Sequence, residues 1–210
     1  MFTDIAGFTG LVESLDPAQL AEILNGYFAE MTDVVFAHEG TVAKIVGDAL
    51  HVLFPDPRLT RPAEPVDAFD AALRALADDV RDTLMAESAI GLTAPHIGVA
   101  ARLVVVRMSP DESARVYVNP VVSWASPDTE AHDEGSVSMP GVRERVTRAA
   151  RIRLSYRDLD GSALEEETEG FPAAVLQHEI DQLDGVFWIA RLSRLKRERL
   201  LKRFGKGRPA

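Results

Sequence analysis

An α+β fold in two unlike pieces, residues 1–54 and 55–210, is what this 210-residue sequence predicts. Three observations lead there. Short β-type runs are joined by tight Gly-Asp and Asp-Gly turns. Among them lie helical runs whose apolar residues recur every three to four positions. Four prolines between Pro55 and Pro65 form a seam, and the sequence changes character across it.

The elements follow in order. "FTDIAGFTG" reads as the end of a strand running into a glycine-bounded loop. Asp16-Pro17 is a helix start, with Asp as the N-cap and Pro at the first helical position. Leu20, Leu24, Tyr27, Phe28, Met31, Val34 and Val35 then recur at helical spacing until Gly40. "TVAKIV-GD-ALHVLF" reads as a hairpin with a Gly-Asp turn. Beyond the seam, "VDAFDAALRALADDVRDTLM" is an amphipathic helix with Phe69, Leu73, Leu76, Val80 and Leu84 on one face. "ARLVVVRM" and "ARVYVNPVV" are strands, and "RIRLSYRDLDGSALEEETEG" is a hairpin around Asp160-Gly161. "PAAVLQHEIDQL" is a helix with Pro172 near its start. A terminal helix, "RLSRLKRERLLKRF", is expected to pack Leu192, Leu195 and Leu201.

Composition narrows the chemistry. The chain has no cysteine, which excludes disulfides, thiolate metal ligands and cysteine nucleophiles. No apolar run approaches the ~18 residues of a membrane span. No signal sequence opens the chain, so the expected location is the cytoplasm. Net charge is -10, yet the last twenty residues carry nine Lys/Arg against one Glu, or +8, which leaves -18 on the other 190. An acidic body repels nucleic acid, so no specific DNA binding is expected. The basic tail reads either as a solvated helix face or as a patch for an anionic partner.

The chemistry-bearing stretch is "LQHEIDQLDG", Leu176 to Gly185. His178 and Glu179 form the first half of a His-Glu-x-x-His metal motif, with Gln182 at the second histidine position. Positions 178 and 182 share one helix face, so both side chains address one spot. Two further stretches accompany it in order, "IGLTAPHIG" (residues 90–98) and "EGSVSMPGV" (residues 134–142). Together the three resemble the motifs of the peptide deformylase family, Gly-x-Gly-Leu-Ala-Ala-x-Gln, Glu-Gly-Cys-Leu-Ser and Gln-His-Glu-x-Asp-His-Leu-x-Gly. The resemblance runs from about residue 52 to the C-terminus.

That resemblance implies a domain of small antiparallel sheets around the helix that carries His178. It implies metal-dependent hydrolysis of the N-formyl group from N-formyl-methionyl peptides, with Fe, Ni or Zn as the divalent metal. Carried over by position, His178 is a metal ligand and Glu179 the proton shuttle. Ser136 stands at the cysteine ligand and Gln182 at the second histidine ligand. His96 stands at the oxyanion-stabilising glutamine, beside the backbone N–H of Val137. Gly91, Leu92, Glu134, Gly135, Asp181, Leu183 and Gly185 match as scaffold, and Arg148 is expected to pair with Glu134. Hydroxyl and amide oxygens are poorer ligands for Fe or Zn than thiolate and imidazole. The expected activity is therefore weak or lost. Two rearrangements are open: a site rebuilt from His96, His178 and an acidic residue, with His132 nearby on an expected loop, or Ser136 as nucleophile with His178 as base. The second lacks a Gly-x-Ser-x-Gly elbow. The alternative function is a non-catalytic module that binds formyl peptides or sits at the ribosome through the basic C-terminal helix.

The first piece has a resemblance of its own. "FTDIAGFTG" and "HEGTVAKIVGDALHVLF" resemble the opening of a class III adenylate or guanylate cyclase domain, a partial ferredoxin-like fragment over residues 2–54. It implies Asp4 and Asp48 as Mg²⁺ or Mn²⁺ ligands and Lys44 as the nucleotide-selecting lysine. The family's later Asn and Arg have no counterpart, so nucleotide binding is the lesser expectation and cyclase activity is not expected.

Overall fold

The computed structural model describes residues 2–3, 15–37, 41–46, 49–53 and 57–206. The chain divides into two units, Met1–Pro57 and Arg58–Ala210. The first contains β1 (Phe2–Thr3), α1 (Pro17–Ala37), β2 (Thr41–Val46) and β3 (Ala49–Leu53). Its strands form an antiparallel sheet in the order β1-β3-β2. The Asp16 carboxylate accepts the Gln19 amide at 3.1 Å, so the expected N-cap starts α1. Asp4, Gly40 and the Gly47-Asp48 turn lie outside the described residues, and Lys44 falls on β2.

The second unit carries the site. Its helices are α2 (Ala71–Ala86), α3 (Gly170–Leu183) and α4 (Arg194–Lys206). Its strands are β4 (Gly91–Thr93), β5 (Leu103–Val106), β6 (Arg115–Ala125), β7 (Thr129–Ser136), β8 (Met139–Ala149), β9 (Arg151–Arg157) and β10 (Ala163–Glu169). Five strands form an antiparallel sheet in the order β10-β9-β6-β5-β4, and β7 and β8 pair as a separate ribbon. Alternate side chains of a strand face opposite ways. On β5, Leu103 and Val105 pack with Leu73, Ala77, Val80 and Leu84 of α2. Val104 and Val106 pack with Leu176, Ile180 and Leu183 of α3. A helix on each face is why this strand is apolar throughout, and each such side chain contributes about 1.5–3 kcal/mol of burial.

The C-terminal end of α3 is set by Gly185. Gly185 takes φ +75°, and a side-chain carbon there would lie 2.9 Å from the backbone of Thr60 and Arg61. Only glycine both turns the chain out of the helix and admits that close crossing.

Several expectations need correction. Asp70 accepts the amides of Ala72 and Leu73, so α2 begins after it; Phe69 lies outside the helix but still packs against the expected cluster of Leu73, Val80 and Leu84, and also lies over Gly161. The β7-β8 ribbon was not expected, and it places His132 on a strand, not a loop. The terminal helix buries Leu200, with Leu192 buried just before it, while Leu195 and Leu201 are exposed. The hairpin around Asp160-Gly161 and the helix with Pro172 near its start form as expected. Among the described residues no helix is long and apolar enough to cross a membrane.

Candidate functional site

The three motif stretches come from separate elements and converge on one cavity of about 760 Å³. The first supplies Gly91 at the start of β4 and His96 from the helical turn Ala94–Ile97 that follows it. The second supplies Glu134, Gly135 and Ser136 at the end of β7, with Val137 in the turn to β8. The third supplies His178 and Glu179 from α3. Leu92 belongs to the apolar core. Gln182 is buried one turn along α3 and is not part of the cavity wall.

A chain of ionic hydrogen bonds fixes the histidine. His178 Nδ1 lies 2.8 Å from Glu134 Oε2, so its Nδ1–H donates to the carboxylate and Nε2 is the ring's remaining nitrogen. Arg148 donates to the same carboxylate from Nε at 2.5 Å and from Nη2 at 2.9 Å, the expected pair. Its Nη1 donates to Asp181 at 2.7 Å, and Arg191 caps Asp181 from outside, with Nε at 2.9 Å. Burial alone would raise the Glu134 pKa, but the hydrogen bonds from His178 and Arg148 outweigh it and hold the carboxyl below its ordinary 4.5. Burial likewise opposes charge on Arg148, and Glu134 and Asp181 restore it. Gln177, next to His178, clasps both backbone groups of Ala149 on β8 at 3.2 and 3.0 Å and so ties α3 to the ribbon.

Burial shifts the other two titratable groups toward their neutral forms. Glu179 is pushed above the ordinary carboxyl range by burial, only partly offset by His178 and Arg148. Its Oε2 has no hydrogen-bond partner among the described residues. His96 is lowered from 6.5 to about 4 by burial and by the neighbouring His178 charge. Its Nδ1 faces the Thr93 amide at 3.2 Å and the Thr93 hydroxyl at 2.8 Å.

The positions that resemblance assigns to a metal hold Ser136, His178 and Gln182. That set has one imidazole, one hydroxyl and one amide. The Gln182 Nε2 donates to the Leu59 carbonyl at 3.0 Å, and its buried Oε1 has no partner among the described residues. Among the described residues no group of three or more His, Cys, Asp or Glu is arranged to hold a metal ion. His132 lines the same cavity, but its Nε2 lies 3.2 Å from Glu130 and its ring lies against Phe171. The Ser136 hydroxyl accepts the Ser138 amide at 3.1 Å, and among the described residues no hydrogen bond joins it to His178. The nucleophile-base reading of that pair therefore loses its geometric basis.

Sequence reasoning missed Thr93, Gln177, Arg191 and Arg143. Arg143 lines the cavity, and its side chain lies over Gly135, with Cγ 3.2 Å from where a side-chain carbon would sit. The one local signal was the three-residue spacing from Thr93 to His96, which lets a side chain reach back to the backbone amide at the start of the turn.

Comparison with known proteins bears on this arrangement. The family model described as polypeptide deformylase matches residues 51–198. A peptide deformylase-like protein of Bradyrhizobium diazoefficiens is 59% identical over 155 residues, covering 74% of this chain and 91% of that protein. A peptide deformylase-like protein of Brucella melitensis is 55% identical over 157 residues, covering 75% of this chain and 96% of that one. Among solved structures, Arabidopsis thaliana peptide deformylase 1B in complex with an inhibitor superposes with a TM-score of 0.69 at 30% identity. That match covers 73% of this chain and 87% of the plant chain.

Proposed function

The chain belongs to the polypeptide deformylase family, and from that premise we propose that it holds N-formyl-methionyl peptides beside His178 and hydrolyses them weakly or not at all. The family's reaction is metal-dependent removal of the formyl group. The observation that carries the reading is the donor set. A single imidazole remains at three ligand positions, and Gln182 is committed through Nε2 to the Leu59 carbonyl. Iron, nickel and zinc favour thiolate and imidazole over hydroxyl and amide oxygen. Metal binding of ~10–16 kcal/mol at good structural zinc sites depends on such ligands. This donor set does not fit a resident Fe, Ni or Zn ion.

The rest of the cavity retains what binding needs. His96 stands where the ligand's carbonyl oxygen is received, with Val137 in the adjoining turn. Glu179 is the inherited proton carrier, and its burial raises its pKa above the ordinary carboxyl range. Purified anaerobically, the protein should contain far less than one Fe, Ni or Zn per chain. It should bind a formyl-methionyl tripeptide by calorimetry and leave it uncut. Stoichiometric metal with turnover overturns the reading.

A second reading concerns α4. Its Leu200 is buried and the Arg194 side chain is 91% exposed, while Lys196 and Arg203, also exposed, pair with Glu144 on β8. This favours an anionic partner such as the ribosome, testable by co-sedimentation with and without charge reversal on α4. The nucleotide reading of Asp4, Lys44 and Asp48 rests on sequence resemblance alone, and a failure to bind ATP with Mn²⁺ removes it.

A further inference from the structure

We infer that Thr93 is a positioning residue that locks His96 in its Nε2–H tautomer, so that the cavity meets a ligand's carbonyl oxygen with a fixed, neutral N–H donor. A backbone N–H can only donate. The Thr93 amide aims at His96 Nδ1 from 3.2 Å, so Nδ1 carries a lone pair and no proton. The Thr93 hydroxyl, at 2.8 Å from the same nitrogen, donates to it as well. In a neutral imidazole the one proton then sits on Nε2. That nitrogen has no partner among the described residues, and His96 forms part of the cavity wall.

Thr93 is itself 0% exposed, so its hydroxyl has no water to turn to and stays on the ring. Burial and the neighbouring His178 both disfavour a second proton on His96. The ring therefore has no free lone pair and cannot serve as a base toward the ligand. It selects an acceptor oxygen and rejects a group that offers only N–H. A protonated peptide amino terminus is such a group, and an N-acyl carbonyl is the opposite. Identifying that carbonyl as a formyl group rests on the proposed function; the tautomer does not.

The test joins ring spectroscopy to binding. Long-range ¹⁵N–¹H spectra of the full chain should show His96 with a bare Nδ1 and a protonated Nε2 at neutral pH. Thr93→Val keeps the size and the backbone amide but removes the hydroxyl, so the amide alone holds the ring and a minor Nδ1–H form should appear beside the main one. Thr93→Ser should restore the single form. Preference for a formyl-methionyl tripeptide over the same peptide with a free amine should fall about tenfold in His96→Leu, the worth of one hydrogen bond. It should fall severalfold in Thr93→Val and recover in Thr93→Ser. An Nδ1–H or charged ring in the unsubstituted protein overturns the inference, as does a Thr93→Val spectrum identical to it. If the formyl peptide binds to no variant, the proposed function falls, while the ring spectra still decide the role of Thr93.

Discussion

Gly91 and Glu179 compete for one volume: a side-chain carbon on Gly91 would overlap the Glu179 carboxylate and lie only 2.7 Å from its Cδ. Bare backbone at the start of β4 is what lets the carboxyl sit against the cavity wall. Gly91→Ala is expected to displace Glu179 and strain the contact between β4 and α3. The cost is about 1–3 kcal/mol, as for other overpacked interiors. Chemical denaturation reads it, and unchanged stability with Glu179 still in place counts against this fit.

Arg148 neutralises two carboxylates at once. Its side chain is 4% exposed, and it joins Glu134 to Asp181. Arg148→Met leaves both acids buried with less compensation, which costs roughly 3–5 kcal/mol. It also releases Glu134, so His178 loses its fixed orientation. A stability loss below about 1 kcal/mol in urea melts contradicts this account.

The sequence made some of these relationships legible and hid others. His178 and Glu179 were readable because helix periodicity places them, and Arg148 with Glu134 because the motifs come as a set. The ribbon was hidden because "TEAHDEGS" shows no apolar alternation. Its strands hold together by mutual pairing and by contacts with α3 and α4, and the apolar side chains it buries, Met139 and Val146, both come from β8. His132 was misplaced for that reason. The tie from Gln182 to Leu59 spans 123 residues, a separation no local pattern encodes. On α4, leucines at 195, 200 and 201 sit on different faces, and only packing against β8 decides that Leu200 is buried.

His96 makes stability depend on pH in a defined window. The unfolded ring takes up a proton near 6.5, and the folded ring only near 4. As pH falls from 6.5 to 4 the proton favours the unfolded chain. Stability is lost across that interval, and the loss is complete below it. His178 and Glu179 also face this cavity, so a difference experiment isolates the ring. Relative to the unsubstituted protein, His96→Gln should gain up to about 3 kcal/mol between pH 7 and pH 4. Parallel stability curves for the two proteins contradict the depressed value.

The donor-set argument is tested most directly by restoring ligands. Ser136 ends β7 and lines the cavity, and Gln182 lies one helical turn from His178. Ser136→Cys with Gln182→His would return a thiolate and a second imidazole to positions flanking His178, whose Nδ1 is already oriented by Glu134. The Gln182 change also gives up the hydrogen bond to Leu59, at about 1 kcal/mol. The double variant should take up close to one Fe, Ni or Zn per chain and cut a formyl-methionyl tripeptide, whereas either single change should do much less. Thiolate and imidazole act together in one coordination shell, so the gain should exceed the sum of the single effects. A folded double variant that remains metal-free shows that the two substitutions are not what limits the site.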